Sequence, residues 1–314
     1  MLIANFFLAS FLGTHSADGP VVAKPDAQHD FESTSAVLPR YRITRTNRTA
    51  AQLKTRANQA VAAFSTSITL DQAALTTWST GAVSAPTEIA WVRPVVGDDN
   101  IAVGYRQRED EVFVLNTYYL DLMPTSFPLS PTEDIGATAA RAVMEDAVQD
   151  LIAAGFVRSG MPYSTAAISY LKEKHFDGTT TREWVTEYIF TMNFVQNGIT
   201  FPDIGLKIGV HRRGVISTIH ATEATLTNMG NVTTTLTLSQ AQTQLANSLS
   251  TAFPQGTFSG ISARQGALLS PTLSVETVSP SGIFNYVLVF PGGRSRQRIS
   301  RVSLVNGAIQ HLYL

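Results

Sequence analysis

Three stretches of the chain repeat their apolar residues with the period of an amphipathic helix, and each follows a helix-start signal. A serine or threonine with glutamine or glutamate three residues later forms a capping box, in which the two residues satisfy otherwise unpaired backbone donors. Such boxes stand at Thr49–Gln52, Ser130–Glu133 and Thr237–Gln240. The pattern therefore predicts three helices. Gly155 is placed to end the second, and Pro254 the third.

Segments in which apolar and polar residues alternate follow each predicted helix. An alternation of period two is typical of strands with one buried face. Asn197 and Gly198 separate two of these segments and predict a tight hairpin, because both residues tolerate a positive φ. The predicted strands include 88–96, 101–108, 112–122, 165–172, 184–195, 204–210, 257–265, 273–278, 284–290 and 299–305.

The order of these elements predicts an α+β fold made of repeated units, each with one helix packed on an antiparallel sheet, of the PepSY or cystatin type. Consecutive strands after each helix favour antiparallel pairing, with the helix across one face. The predicted units are residues 40–125, 126–232 and 233–314. Because the helix starts are unequally spaced, this would be a structural repeat and not a tandem sequence repeat.

The N-terminus predicts export from the cytoplasm. Leu2–Gly13 is an apolar run of the length found in signal peptides, and small residues follow it, although no lysine or arginine precedes it. We therefore interpret residues 1–17 as a signal peptide and 18–39 as a linker, which gives an extracytoplasmic location. The alternative is a short buried helix or strand. No other segment is apolar enough to span a membrane.

Composition excludes several classes of function. The 23 basic and 24 acidic residues nearly balance, which argues against a nucleic-acid-binding protein. The chain has 0 cysteines, so disulfides, thiolate metal sites and a cysteine nucleophile are excluded. With 44% hydrophobic residues, the chain has enough apolar material for folded cores. No cofactor motif was found, and none is predicted.

Two stretches resemble a known group of exported proteins. One is Tyr188–Thr200, a strand interrupted by Asn197-Gly198, which continues through Gly205–Ile216. The other is Leu238–Leu245 with Arg301–Ile309 near the end of the chain. Together they resemble PepSY-type domains and the related YycH/YycI-type regulators of sensor kinases, mainly over residues 180–314. The resemblance implies a non-enzymatic role, in which the protein inhibits, chaperones or tethers a partner outside the cytoplasm.

Motifs for catalysis are weak. His-Glu-x-x-His is absent, and His175 with Asp177 is more simply interpreted as a solvated turn than as a metal site. Ser169 and Lys172 have the spacing of Ser-x-x-Lys, but in a predicted strand the two side chains would point to opposite faces. No catalytic or metal-ligating residue is therefore predicted.

Basic residues gather in two places. His211, Arg212 and Arg213 occupy a predicted turn, and a second group follows Pro291-Gly292-Gly293. Both groups are candidates for an anion- or partner-binding surface, although for the arginine group the sequence favours a plainer explanation. That explanation is an edge strand whose charges keep it from pairing with other chains. The second group is Arg294, Arg296, Arg298 and Arg301.

The sequence therefore favours an exported, non-enzymatic module that binds a protein or peptide, with another exported or membrane protein as partner. Three alternatives remain. The first is a hydrolase with a dispersed active site, in which a pocket would converge on His175 or His220. The second is a carrier of small molecules or lipids in a curved sheet. The third is a structural surface protein.

Overall fold

The structure is a computed structural model. The predicted signal peptide and most of the predicted linker lie outside the described residues, and β1 takes in the last three residues of that linker. His175 is described only as part of a strand, and Asp177 lies outside. The described residues are 37–46, 48–64, 69–70, 76–80, 87–92, 94–96, 101–106, 110–116, 134–158, 163–176, 178–266, 275–291 and 295–311.

Three α-helices occur in the described part of the chain: α1 (Ala50–Ala60), α2 (Gly136–Ala153) and α3 (Leu238–Ala252). A 3-10 turn, Val61–Ala63, extends α1. The predicted capping boxes are confirmed at α1 and α3, where Thr49 and Thr237 exchange hydrogen bonds with Gln52 and Gln240.

The predicted start of the second helix is wrong. The helix begins at Gly136, after the non-helical residues Asp134 and Ile135. Asp134 Oδ1 accepts a hydrogen bond from the Gly136 amide at 2.9 Å, so a carboxylate two residues before the helix serves one of its free donors. The box at Ser130–Glu133 lies outside the described residues.

Seventeen strands are described. The hairpin between β9 and β10 turns at Asn197 and Gly198 with φ of 50° and 74°, as the sequence predicted. The strands are β1 (Val37–Thr44), β2 (Thr69–Leu70), β3 (Thr76–Thr80), β4 (Thr87–Val92), β5 (Pro94–Val96), β6 (Ile101–Arg106), β7 (Glu111–Asn116), β8 (Ala167–Phe176), β9 (Thr181–Gln196), β10 (Ile199–His211), β11 (Ile216–Thr222), β12 (Thr225–Thr233), β13 (Thr257–Gly266), β14 (Val275–Val278), β15 (Ser281–Val289), β16 (Ser295–Ser303) and β17 (Ile309–His311).

These strands form three sheets in the described residues. The largest has twelve strands, with a path β17-β16-β15-β13-β10-β11-β7-β6-β4-β3 and with β9 and β8 on the other side of β10. A second sheet has the order β12-β1-β14, and β2 pairs with β5. All the pairings are antiparallel except one: β13 meets β10 in parallel at the single position Thr200↔Gly266.

The prediction of repeated units, each with one helix on its own sheet, is wrong, although antiparallel strands were predicted correctly. Sheet dominates the described chain, and β7 from the first predicted unit pairs with β11 from the second over Glu111–Leu115. The helices α1 and α2 also pack on one shared core. Edge strands pair because an open edge leaves backbone N–H and C=O groups unsatisfied, and no local sequence signal shows which edges will meet.

The buried apolar residues form three clusters. The largest lies between the central sheet and α1 and α2, and includes Leu53, Met144, Leu151, Phe190 and Ile208. The second joins the β12-β1-β14 sheet to the β9–β10 hairpin through Tyr41 and Phe201, whose rings meet edge to face at 5.5 Å between centroids. The third packs α3 on β15 and β16. Each helix therefore buries one apolar stripe, as amphipathic helices do. No helix in the described residues is long and apolar enough to cross a membrane.

Candidate functional site

The first predicted basic group, His211–Arg213, lies at the end of β10 and is mostly buried. His211 and Arg212 are 2% and 4% exposed. Backbone hydrogen bonds hold Arg212 on both sides: its N–H donates to Thr186 O at 3.0 Å, and its C=O accepts from Ile135 N at 2.9 Å. This turn therefore anchors the start of α2 to the central sheet.

The His211 side chain is held neutral. Burial first, and then the neighbouring charges of Arg213 and Arg212, lower its pKa to about 4, against the opposite effect of Asp134. Its Nδ1 atom accepts a hydrogen bond from the Arg213 amide at 3.3 Å. A neutral, buried imidazole in this position is a structural group rather than an anion receptor.

The second predicted basic group lies on β16. Residues paired across an antiparallel ladder share a face, and Arg296 and Arg298 pair with Leu288 and Tyr286, on the face that α3 covers. Arg296 is exposed and Arg298 is half-buried. Arg301 has the opposite parity in the same regular strand, so it points to the other face. Arg294 lies outside the described residues.

The structure does not bring the two basic groups together. The β16 strand lies beyond β13 and β15, and β13 reaches β10 only at Thr200, close to where β10 begins. His211 is the last residue of β10, at its other end. The predicted surface is thus two separate regions, of which the β16 region is the exposed one.

The outer edge of β16 is only partly covered in the described residues. The short strand β17 pairs with Ser300–Val302 and leaves Ser295–Ile299 without a described neighbour on that side. The surrounding chain is basic: residues 233–314 contain five arginines and a single acidic residue, Glu276. The side chains of Arg296 and Arg298 therefore lie beside the backbone N–H and C=O groups of Ser295–Ile299.

A polar cluster that the sequence did not predict lies on the face of the central sheet opposite α1 and α2. Ser217 donates a hydrogen bond to Glu187 Oε1, and Thr218 Oγ1 donates to the same atom at 3.3 Å. A register shift between Gly209 and Val210 brings these two consecutive hydroxyls to one carboxylate. Gly209 makes room for the group, because a Cβ there would lie 1.9 Å from Glu187 Oε1.

Burial raises the pKa of Glu187, while hydrogen bonds from Ser217 and Thr218 and the nearby His220 act in the opposite direction. Nδ1 of His220 lies 2.8 Å from Glu111 Oε1, and its ring stacks on Phe113 with centroids 5.8 Å apart. His220, named with the hydrolase alternative, therefore lies near the carboxylates of Glu111 and Glu187.

A second serine and histidine meet between β16 and β17. Ser300 Oγ lies 2.8 Å from His311 Nδ1 and 2.9 Å from the Tyr286 hydroxyl. Burial lowers the pKa of His311, which favours a neutral base. However, Ser300 is 0% exposed, so a substrate carbonyl cannot reach its oxygen.

Neither pair has the arrangement of a serine hydrolase, in which the histidine takes the proton of an accessible serine. Ser217 donates its hydrogen bond to Glu187 rather than to a histidine, and it is 1% exposed. The described residues also hold no group of three or more histidine, aspartate or glutamate side chains placed to bind a metal. The arrangement of the described polar groups is that of buried networks which hold the sheet together.

Comparison with known proteins shows a similar fold but no related family. No protein-family model matches the sequence, and no curated protein matches it. The similar solved structures include that of an uncharacterized protein from Eubacterium rectale ATCC 33656, with a TM-score of 0.53 and 12% sequence identity. The similarity covers 88% of this chain and 87% of that one, so the two share a fold over most of their length.

Proposed function

We propose that the protein is an exported binding module that holds an extended, acidic segment of another protein along the outer edge of β16. The observation that carries the proposal is that Ser295–Ile299 combine arginine side chains with a backbone edge that has no partner strand among the described residues. An added strand would pair with this backbone, as peptides do in β-augmentation.

The register explains the preference for acidic partners. Arg296 and Arg298 stand two residues apart on one face, so an added strand would place every second side chain beside them. Glutamate or aspartate at these alternate positions would make charged cross-strand pairs. The basic character of residues 233–314 would attract the same segment over a longer range.

We propose export because of the apolar run Leu2–Gly13. We propose a non-enzymatic role because the described serine–histidine and serine–carboxylate pairs are buried. Export is tested by fractionation of producing cells: the expected result is mature protein outside the cytoplasm, and intact protein that stays in the cytoplasm contradicts it.

The binding test uses a decapeptide with glutamate at every second position and threonine between, compared with its glutamine counterpart. We expect the glutamate peptide to bind, and the double variant Arg296→Gln/Arg298→Gln to bind it about tenfold more weakly, since two charge pairs near the surface contribute roughly 1–2 kcal/mol together. Calorimetry or fluorescence anisotropy at low and high salt measures this.

The matched control is Arg301→Gln, which removes the same charge from the other face of the same strand and should change the affinity less than twofold. Equal loss in both variants would show a general charge effect and would contradict the proposed edge site. If the double variant instead self-associates and the glutamate peptide never binds, the arginines protect an edge strand from pairing and the proposal is wrong. Polyphosphate that binds as well as the peptide would show anion binding without a role for the open backbone.

A further inference from the structure

A different edge of the molecule, on β12, is open in the described residues. β12 stands at the end of the β12-β1-β14 sheet and pairs only with β1 there. Seven of its nine residues are exposed. Its outer backbone N–H and C=O groups are therefore available to a further strand.

The side chains of β12 carry no charge: the strand reads Thr-Leu-Thr-Asn-Met-Gly-Asn-Val-Thr. Other edges of the molecule do carry charges, since β8 contains Lys172 and β16 carries arginines. Lysine and arginine on an edge discourage the approach of an identical strand. That protection is missing from β12.

Exposed apolar side chains also lie on the β12-β1-β14 sheet. The large hydrophobic residues that are exposed in the described part of the chain are Val37, at 61%, and Met229, at 43%. Val37 begins β1 and Met229 lies on β12, so the two strands that pair with each other hold both. Apolar exposure of this kind is typical of surfaces that contact another chain.

A β-bulge limits how much of β12 can pair. Gly230 has a φ of +89°, and the ladder with β1 shifts register between Pro39 and Tyr41. The strand is regular from Thr225 to Asn228, before the bulge. This is the segment that fits a straight neighbouring strand.

We propose that the partner of this edge is a second copy of the chain, paired antiparallel to β12 about a twofold axis. Two identical neutral strands meet without like-charge repulsion, and each copy offers the same open edge, as a twofold interface requires. The two small sheets would then join into one of six strands. Because the regular segment is short, the dimer is weak and depends on concentration.

Cysteine scanning tests the contact without background, because the chain has 0 cysteines. Single variants Thr225→Cys, Thr227→Cys, Met229→Cys and Thr233→Cys are oxidised at high protein concentration. Disulfides require Cα atoms within about 7 Å, and in a twofold pair only residues next to the axis come this close to their own copies. We therefore expect crosslinking to be greatest at Thr227, near the middle of the regular segment, weaker at Thr225 and Met229, and least at Thr233, beyond the bulge. Thr243→Cys, exposed on α3, gives the rate of random collision. Crosslinking no faster than this control at every β12 position overturns the proposal.

Sedimentation supplies the second measurement. Wild-type protein should show a monomer–dimer equilibrium, and Thr227→Lys, which places like charges at the twofold contact, should be monomeric at every concentration. Thr243→Lys, the matched charge on α3, should dimerise as the wild type does. A wild-type protein that stays monomeric up to about 1 mM, or a dimer that Thr227→Lys leaves intact, contradicts the proposal.

Discussion

The central region, which precedes residue 233, and the C-terminal region, residues 233–314, differ in whether their charged side chains are paired. In the central region, Arg48 donates to Asp110 Oδ1 at 2.6 Å and to Glu223, and Arg56 donates to the same glutamate. In the C-terminal region, Arg296 is exposed. The 82 residues of this region contain one acidic residue, Glu276. Charges that are paired and buried fix the fold, whereas charges left on the surface remain available to a partner.

The central network links parts of the chain that are far apart in sequence. Asp110, which is 1% exposed, also accepts a hydrogen bond from the Tyr105 hydroxyl at 3.0 Å. Arg56 donates to Phe156 O at 2.8 Å, and its guanidinium lies 4.2 Å from the centroid of the Phe156 ring. The network therefore ties α1 to the end of α2 and to the β6–β7 and β11–β12 turns.

The largest expected effect comes from removing one charge of this network. Asp110→Asn keeps a side chain that tolerates the positive φ of 46° but leaves Arg48 without its buried counter-charge. We expect the free energy of unfolding to fall by about 3 kcal/mol, measured by urea denaturation. Arg296→Gln, which removes one exposed charge from the C-terminal region, should change it by less than about 0.5 kcal/mol. Similar losses in the two variants would remove the distinction between the regions.

A smaller loss of stability is expected when the pH is lowered, because of His211, a buried neutral imidazole of the central region. Its pKa is about 4 in the folded protein, against an ordinary value of 6.5. Between these values the unfolded chain binds the proton more strongly, so stability falls as the pH falls. From pH 7 to pH 5 the loss from this group is about 2 kcal/mol. His211→Gln should therefore lose about 2 kcal/mol less than the wild type over that interval in urea titrations, and an identical pH dependence would contradict this assignment.

The smallest expected effect concerns a feature that both regions share. Thr49→Ala and Thr237→Ala each remove a capping box, which costs about 1 kcal/mol. The three tryptophans, Trp78, Trp91 and Trp184, all precede residue 233, so their fluorescence reports the central region, whereas circular dichroism reports both. We expect Thr49→Ala to shift the fluorescence transition and Thr237→Ala to shift mainly the dichroism. A cap variant with no effect on either signal would contradict the assigned caps.

Local chemistry made part of this fold predictable. The capping boxes at Thr49 and Thr237 act within four residues, and the Asn197-Gly198 turn needs only two residues with positive φ, so each could be seen in the sequence. The second helix start was misplaced because a box pattern at Ser130 resembles the true signals, while the helix begins at Gly136.

The features that the sequence did not show depend on distant residues. Arg48 and Asp110 are 62 positions apart, and Arg48 and Glu223 are 175 apart. The cluster at Glu187 also needs a shift of register beside Gly209 before two neighbouring hydroxyls can face one carboxylate. Glycine at a strand position was the available signal, since it often marks a close approach. The arginines of β16 were found, but Arg301 could be assigned to the other face only once the strand's extent was known.

The single parallel contact at Thr200↔Gly266 has a consequence for how the molecule opens. A Cβ on residue 266 would lie 2.6 Å from Thr200 O, so only glycine fits this junction. Among the described residues, one pair connects the four C-terminal strands of this sheet to its other strands. Amide protons on the two sides should therefore exchange with solvent in separate cooperative events, each with its own free energy, so that the large sheet behaves as two foldons.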